Sequence, residues 1–406
     1  MQIKILTLIV TLCTIPSCVL SRRGCSEKSA IELSTYRAHV FSMQLLRRVA
    51  EDTNGHFVFS PLTTWMQLIA LAEQAGSETF REIWRVTRHN RNRCYQRQLL
   101  RVIKKLDREL RSERGRMSLM VVDEYMNVKP RFKRQLQKLY GVKLLEVNFD
   151  DPEYSTELVN KAVWEGTDGV INGTVYYDDF ISSVLLLSDA SYVKNEWRIP
   201  FNSEDTETQQ FYTSDTHNRS PGYVSMMNVV GSFNMIDLPQ VRSTVLELPC
   251  ISSRVSMLVF LPYPRVWPGN LYFDLQNMTM ASIFNLFKDQ GTKLVNVSLP
   301  RFKIQSEIDN IPELVMDMGV RRVFYPKTAE LNGISSYSAM HATLMTQVAY
   351  IDVTEKGVRA ATVPNPLSIK NDCVDFVANR PFSYMLVDRD TQFILYAGTY
   401  TEPSVI

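Results

Sequence analysis

Between Arg81 and Arg116 the chain carries thirteen Arg or Lys against four acids, Glu82, Asp107, Glu109 and Glu113, a local surplus of nine positive charges. Clustered cations raise the local potential and steer acidic partners. Within the block Leu99, Ile103, Leu106 and Leu110 recur at helical spacing. Arg97, Arg101, Lys104, Lys105, Arg108 and Arg111 form a separate basic stripe. Such a helix either turns a solvated face to water or binds a polyanion, for which a sulfated glycan is the candidate. Only Trp84 and Tyr95 fall among the cations and they make no repeating basic-aromatic pattern, which argues against nucleic acid.

Other reactive groupings are few. No G-x-S-x-G, H-E-x-x-H, GxGxxG or P-loop occurs. The histidines His39, His56, His89, His217 and His341 stand beside no evident nucleophile or carboxylate at ligand spacing, and most are expected at the surface or at caps. No enzyme activity, cofactor or metal site is expected. Beyond the first 21 residues the cysteines are Cys25, Cys94, Cys250 and Cys373, which allow three pairings. A single bond between Cys25 and Cys373, no bond, or two bonds all remain open.

The N-terminus predicts export. Lys4 precedes an apolar run from Ile5 to Ile15, followed by small residues up to Ser21. That pattern reads as a signal peptide over residues 1–21, too short to span a bilayer. Export also counts against nucleic acid. Sequons at Asn172, Asn218, Asn277 and Asn296 are candidate glycosylation sites, with Pro221 weakening the second. With 406 residues, 45% hydrophobic and 22% charged, the chain has ample length for a large core. No linker, repeat or low-complexity tract divides it, so residues 22–406 are expected to form one domain.

The elements that must position these groups follow from periodicity. Ile31 to Val49 reads as an opening helix with Ile31, Tyr36, Val40, Met43 and Leu46 on its apolar face. A short strand, His56 to Phe59, ends at Ser60-Pro61, and Pro61 opens an apolar helix through Trp65, Leu68, Ile69 and Ala72. Met117 to Val122 predicts a strand, Phe132 to Tyr140 a helix, and Leu144 to Phe149 a strand. Val184 to Leu187 is a continuous apolar run, as in a strand buried on both faces. Val348 to Val353, Phe382 to Val387 and Phe393 to Gly398 are strands rich in β-branched and aromatic residues. Between the first two lie 28 residues, Thr354 to Pro381, with little regular pattern. Loops of that length are usually functional or disordered.

That loop starts Glu355-Lys356-Gly357, continues through Ala360-Ala361-Thr362 and ends Ala378-Asn379-Arg380-Pro381-Phe382. It resembles the hinge, reactive-centre loop and distal anchor of the serpins, inhibitors that trap proteases by inserting a cleaved loop into a sheet. Phe59-Ser60-Pro61-Leu62-Thr63 with Gln74-Ala75, Asn160 to Ile171, and Asp189 to Trp197 are similar to further serpin motifs. So are Leu246-Glu247-Leu248-Pro249, Leu299 to Ile304 and Ala329 to Ser335. The resemblance runs from about residue 30 to 403. It departs from the usual pattern at Thr63, Gln74, Ala162, Val358 and Arg359.

The resemblance implies an α+β fold: a single large domain with a central mixed β-sheet, further sheets and surrounding helices. It implies a monomer whose partner is an extracellular serine protease or another secreted protein, and it places the basic stripe where some serpins bind heparin. Counting along the loop places the scissile bond after Lys370 or Asn371, and Lys370 would suit a trypsin-like protease. The hinge would comprise Glu355, Gly357, Val358, Arg359, Ala360, Ala361, Pro364 and Pro366, with sheet opening gated by Ser60, Thr63, Asp189, Trp197 and Gln347. Two hinge residues conflict with that function. Pro364 and Pro366 lack an N–H, and proline is confined to strand edges, starts and bulges. The expectation is therefore a weakly inhibitory or non-inhibitory protein, with suicide-substrate inhibition as the alternative.

Overall fold

The computed structural model describes residues 25–110, 114–194, 196–213, 222–252, 254–356, 373–403 and 405–406. The chain opens with helices α1 (Glu27–Asp52), α2 (Pro61–Ala72), α3 (Ser77–Thr87) and α4 (Arg93–Glu109). Ser26 and Ser29 close a reciprocal capping box at the start of α1. The buried face of α1 is built from Ala38, Phe41, Met43, Leu45, Leu46 and Val49, while Tyr36, placed there by periodicity, is exposed. Every residue of α2 is buried, its mostly apolar sequence carrying Thr63, Thr64 and Gln67 into the core with it. Five shorter or later helices follow: α5 (Pro130–Gln135), α6 (Pro152–Gly166), α7 (Leu271–Asp274), α8 (Met280–Gln290) and α9 (Ile311–Asp317). The helix expected over Phe132 to Tyr140 is split into α5 and a wider π-type turn over Leu136–Tyr140.

The larger sheet holds β1 (Phe57–Phe59), β5 (Glu207–Phe211), β6 (Gly222–Leu238), β7 (Ser243–Pro249), β8 (Val255–Pro262), β9 (Lys293–Pro300), β12 (Val374–Val377), β13 (Phe382–Asp388) and β14 (Ile394–Tyr400). The smaller sheet has the order β10 (Phe302–Ile308), β11 (Leu344–Val353), β4 (Leu185–Lys194), β2 (Arg114–Asp123) and β3 (Lys143–Val147). It is mixed. β11 and β4 run parallel over nine paired positions, from Leu344 opposite Leu186 to Asp352 opposite Lys194, with antiparallel neighbours on either side. The run at Leu185 to Leu187 is buried because this sheet is covered on both faces.

Alternation along the parallel pair feeds two cores. Leu185, Leu187, Met345, Ala349 and Ile351 point to the main core, whereas Leu186, Ala190 and Val348 join Val159, Ala162 and Val163 of α6. The chain leaves α6 through Asp168 and Gly169, both in the left-handed region at φ 52° and 73°. Asp168 Oδ2 accepts a 2.8 Å hydrogen bond from the Tyr192 hydroxyl, which pins this turn to β4. Phe302 of β10 joins the sheets: its ring lies 4.9 Å from Tyr400, 5.4 Å from Tyr384 and 6.0 Å from Phe382.

Three expectations are corrected. Cys25 bonds to Cys94, not to Cys373, and so ties the start of α1 to the start of α4. The two helices pack together, which brings the cysteines within bonding reach, whereas Cys373 lies at the far end of the loop beside β12. The stretch from Thr354 to Pro381 is not featureless: β12 pairs in parallel with β9 and extends the large sheet. Its alternation is too short to signal a strand without the β9 partner. Lastly, His39 and His89 are core residues, not surface ones. His39 Nε2 pairs with the Leu275 carbonyl at 2.8 Å, and His89 Nδ1 with the Thr87 hydroxyl at 2.8 Å. A local hydrogen-bond partner offsets the burial cost that disfavours histidine in a core.

Candidate functional site

The site lies where β11 releases the loop. Trp197, buried and edge-on to Phe201 at 6.2 Å, closes the top of the parallel pair. Its indole N–H donates to the Thr354 carbonyl at 2.7 Å and its backbone N–H to the Lys356 carbonyl at 2.9 Å. Glu355, between these contacts, accepts from the Thr206 hydroxyl at 2.8 Å and faces Arg301 at 3.5 Å. The last described residues before the loop are thus held by four groups from other segments. The described residues continue from Cys373 into β12 at the edge of the large sheet. Arg380 reaches back to the Pro262 carbonyl at 2.9 Å.

Beneath the seam between β11 and β4, Gln347 and Asp189 stand opposite each other in register. Each is bonded away from the other. Gln347 grips the backbone of Ser60, accepting from its N–H at 2.5 Å and donating to its carbonyl at 3.1 Å. The Ser60 hydroxyl pairs with Thr63 at 3.0 Å in the first turn of α2. Asp189, fully buried, accepts from Ser118 and from Arg116 Nε at 3.2 Å, both on β2. Arg116 and Arg114 also meet Asp107 of α4. Burial pushes the Asp189 carboxyl above its ordinary range, while the Arg116 charge and the Ser118 and Arg116 hydrogen bonds pull it back. Thr63 and Gln347 therefore meet at Ser60, and Asp189 belongs to a separate ionic network. Sequence reasoning missed Arg116. The signal was Asp189 itself, an acid inside an apolar strand, which requires a buried counter-charge.

The family model described as Serpin (serine protease inhibitor) matches residues 37–403. The chain belongs to the serpin family. Serpin A3-8 of Bos taurus is 26% identical over 377 residues, spanning 90% of this chain and 87% of that protein. A crystal structure of maspin matches with a TM-score of 0.81 at 21% identity, over 92% of this chain and 100% of that one. Native protease nexin-1 with heparin matches at 0.78 and 20%, over 92% and 99%. At such identities the two structures share the fold. Serpins are inhibitors of proteases and generally not catalysts.

Of the hinge expected for this serpin, Glu355 is described; Gly357, Val358, Arg359, Ala360, Ala361, Pro364 and Pro366 lie outside the described residues, as do Lys370 and Asn371. So do residues 1–21, Arg111 and Asn218. Arg97, Arg101, Lys104, Lys105 and Arg108 are exposed on α4, whose inner face buries Leu99, Ile103 and Leu106. The helix's two acids are paired with cations of the body, Asp107 with Arg114 and Arg116 and the exposed Glu109 with Arg254. That leaves its outer face cationic. Lys104 donates to the Lys138 carbonyl, and Lys105 lies 3.8 Å from Glu109. Asn172 and Asn277 are exposed, whereas Asn296 sits within β9, half-buried, its Nδ2 donating to Asp375 at 2.8 Å. No helix among the described residues is long and apolar enough to cross a membrane.

Proposed function

We propose that this serpin is a secreted binding or signalling protein, or a cleavable substrate, with weak or no covalent trapping of proteases. The observation that carries this reading is the pair Pro364 and Pro366 set against the nine-position seam between β11 and β4. A chain leaving Lys356 and turning back into that seam runs antiparallel to both flanking strands. If residue 358 stood opposite Val353, Pro364 would stand opposite Gln347 and Pro366 opposite Met345, inside the seam and facing the main core. Each proline lacks an N–H, so a flanking carbonyl goes unpaired at roughly 1–3 kcal/mol when buried. Trapping is a race against deacylation, and ~2 kcal/mol on the insertion barrier slows it about thirty-fold.

A second reading has its own support. Because Gln347 and Asp189 hold partners on their own sides, opening the seam at that depth separates backbone pairs without breaking a side-chain bridge. That favours the alternative, suicide inhibition of an extracellular trypsin-like protease cleaving after Lys370 or Asn371. Incubation with trypsin separates the readings on a denaturing gel: the first expects clean nicking, and an SDS-stable complex of summed mass would establish the second. The exposed cations of α4 support sulfated-glycan binding, as does the fold shared with a serpin crystallised with heparin. Export and glycosylation at Asn172 and Asn277 complete the proposal. At Asn296 a glycan would displace the bond to Asp375.

A further inference from the structure

We propose that a cavity of about 590 Å³ beside the start of α4 binds a small organic anion with an apolar body, such as an aryl sulfonate, sulfate or carboxylate. The volume lies within the range of ordinary small-ligand sites. Four cations line it: Arg93 and Arg97 from the first turns of α4, and Lys129 and Arg131 from the entry to α5. One acid, Glu73, faces them. It accepts from Gln96 Nε2 at 2.6 Å, and its single charge leaves the cations in excess. Neither Arg93 nor Arg131 makes a salt bridge among the described residues, so both guanidinium groups remain available to an anion. The floor is apolar, formed by the buried side chains of Leu100, Phe132 and Tyr140.

This combination selects against the ligand expected on the outer face of α4. A sulfated glycan has charge but no apolar surface to cover Leu100, Phe132 and Tyr140, and a neutral hydrophobe leaves the cations unused. A ring or short chain carrying one acidic head satisfies both halves of the cavity, with Arg93 and Arg131 placed to bind the head through paired N–H donors. The lip is built before any ligand arrives. Cys94, adjacent to Arg93, is bonded to Cys25, and its N–H donates to the Asn92 cap at 2.8 Å. A pre-formed lip lowers the ordering cost of binding. The inference goes beyond protease recognition and stands whether or not the loop inserts.

Calorimetric titration of the full mature chain with 2-naphthalenesulfonate tests it. Saturable one-to-one binding is expected, with methanesulfonate and neutral 2-naphthalenemethanol each at least about tenfold weaker, the loss of one favourable contact set. The double variant Arg93→Ala, Arg131→Ala weakens the probe by at least a similar factor. Its retention on heparin falls less than that of a variant neutralising Arg101, Lys104, Lys105 and Arg108, which lie outside the cavity. Absence of saturable binding, equal affinity for methanesulfonate, or unchanged affinity in the double variant overturns the proposal. Displacement of the probe by an equal concentration of heparin tetrasaccharide overturns it too, by assigning the cavity to the glycan.

Discussion

Asp189 and Arg116 form a buried pair whose members are unequal in cost. Asp189 is sealed from solvent, and Arg116 is its principal counter-charge. Arg116→Met therefore strands a carboxylate in the core and is expected to cost about 3–5 kcal/mol. Asp189→Asn in the same background removes the stranded charge and recovers most of the loss. Urea unfolding of the single and double variants measures the difference, and equal stability of the two would show that the pair carries no such coupling. His89 supplies a pH test. Burial first, then the nearby Arg37 and Arg91 charges, push its pKa down to about 4. The folded chain thus holds His89 neutral while the unfolded chain protonates it near 6.5. Its contribution to stability is complete above that value and is lost as pH falls toward 4, by about 2 kcal/mol at pH 5. His39, also depressed by burial, adds in the same direction. His89→Gln should flatten the decline of urea midpoint between pH 7 and pH 5; an unchanged slope would contradict this assignment.

α4 is the element on which charge, disulfide and cavity converge. Its periodicity alone separated the buried Leu99, Ile103 and Leu106 from the exposed Arg97, Arg101, Lys104, Lys105 and Arg108. What periodicity could not supply was the tertiary pairing. Cys94 finds Cys25 only because α1 and α4 pack together, and no spacing along the chain encodes that contact. β12 was hidden for the same reason, being four residues whose strand character depends on β9. By contrast β4, β11, β13 and β14 were readable because each is apolar enough to be largely buried, β13 and β14 along their whole length. Two outcomes follow for α4. Neutralising Arg101, Lys104, Lys105 and Arg108 together should lower the salt needed to elute the protein from heparin, since exposed charges act through a screened potential. Elution at an unchanged salt concentration would remove α4 from the account. Replacing Cys25 and Cys94 with serine frees a loop spanning 69 residues and should cost about 2–5 kcal/mol, read as a lowered urea midpoint.

For the molecule as a whole, the resemblance read from the loop borders placed the chain in its family and sheet architecture, because the strands flanking the loop are long and apolar. The base of the loop was less readable. Thr206 and Arg301, which hold Glu355, lie far from it in sequence and carry no local signal of that role. The nine paired positions between β11 and β4 make the seam a place where one more strand would exchange a parallel pairing for two antiparallel ones. Whether this chain gains that stabilisation turns on Pro364 and Pro366. The most direct measurement is the thermal midpoint of the protein before and after trypsin nicks the loop, made beside the variant Pro364→Ala, Pro366→Ala. The account predicts that nicking leaves the midpoint of the natural sequence unchanged and raises that of the variant; a large rise in the natural sequence would contradict it.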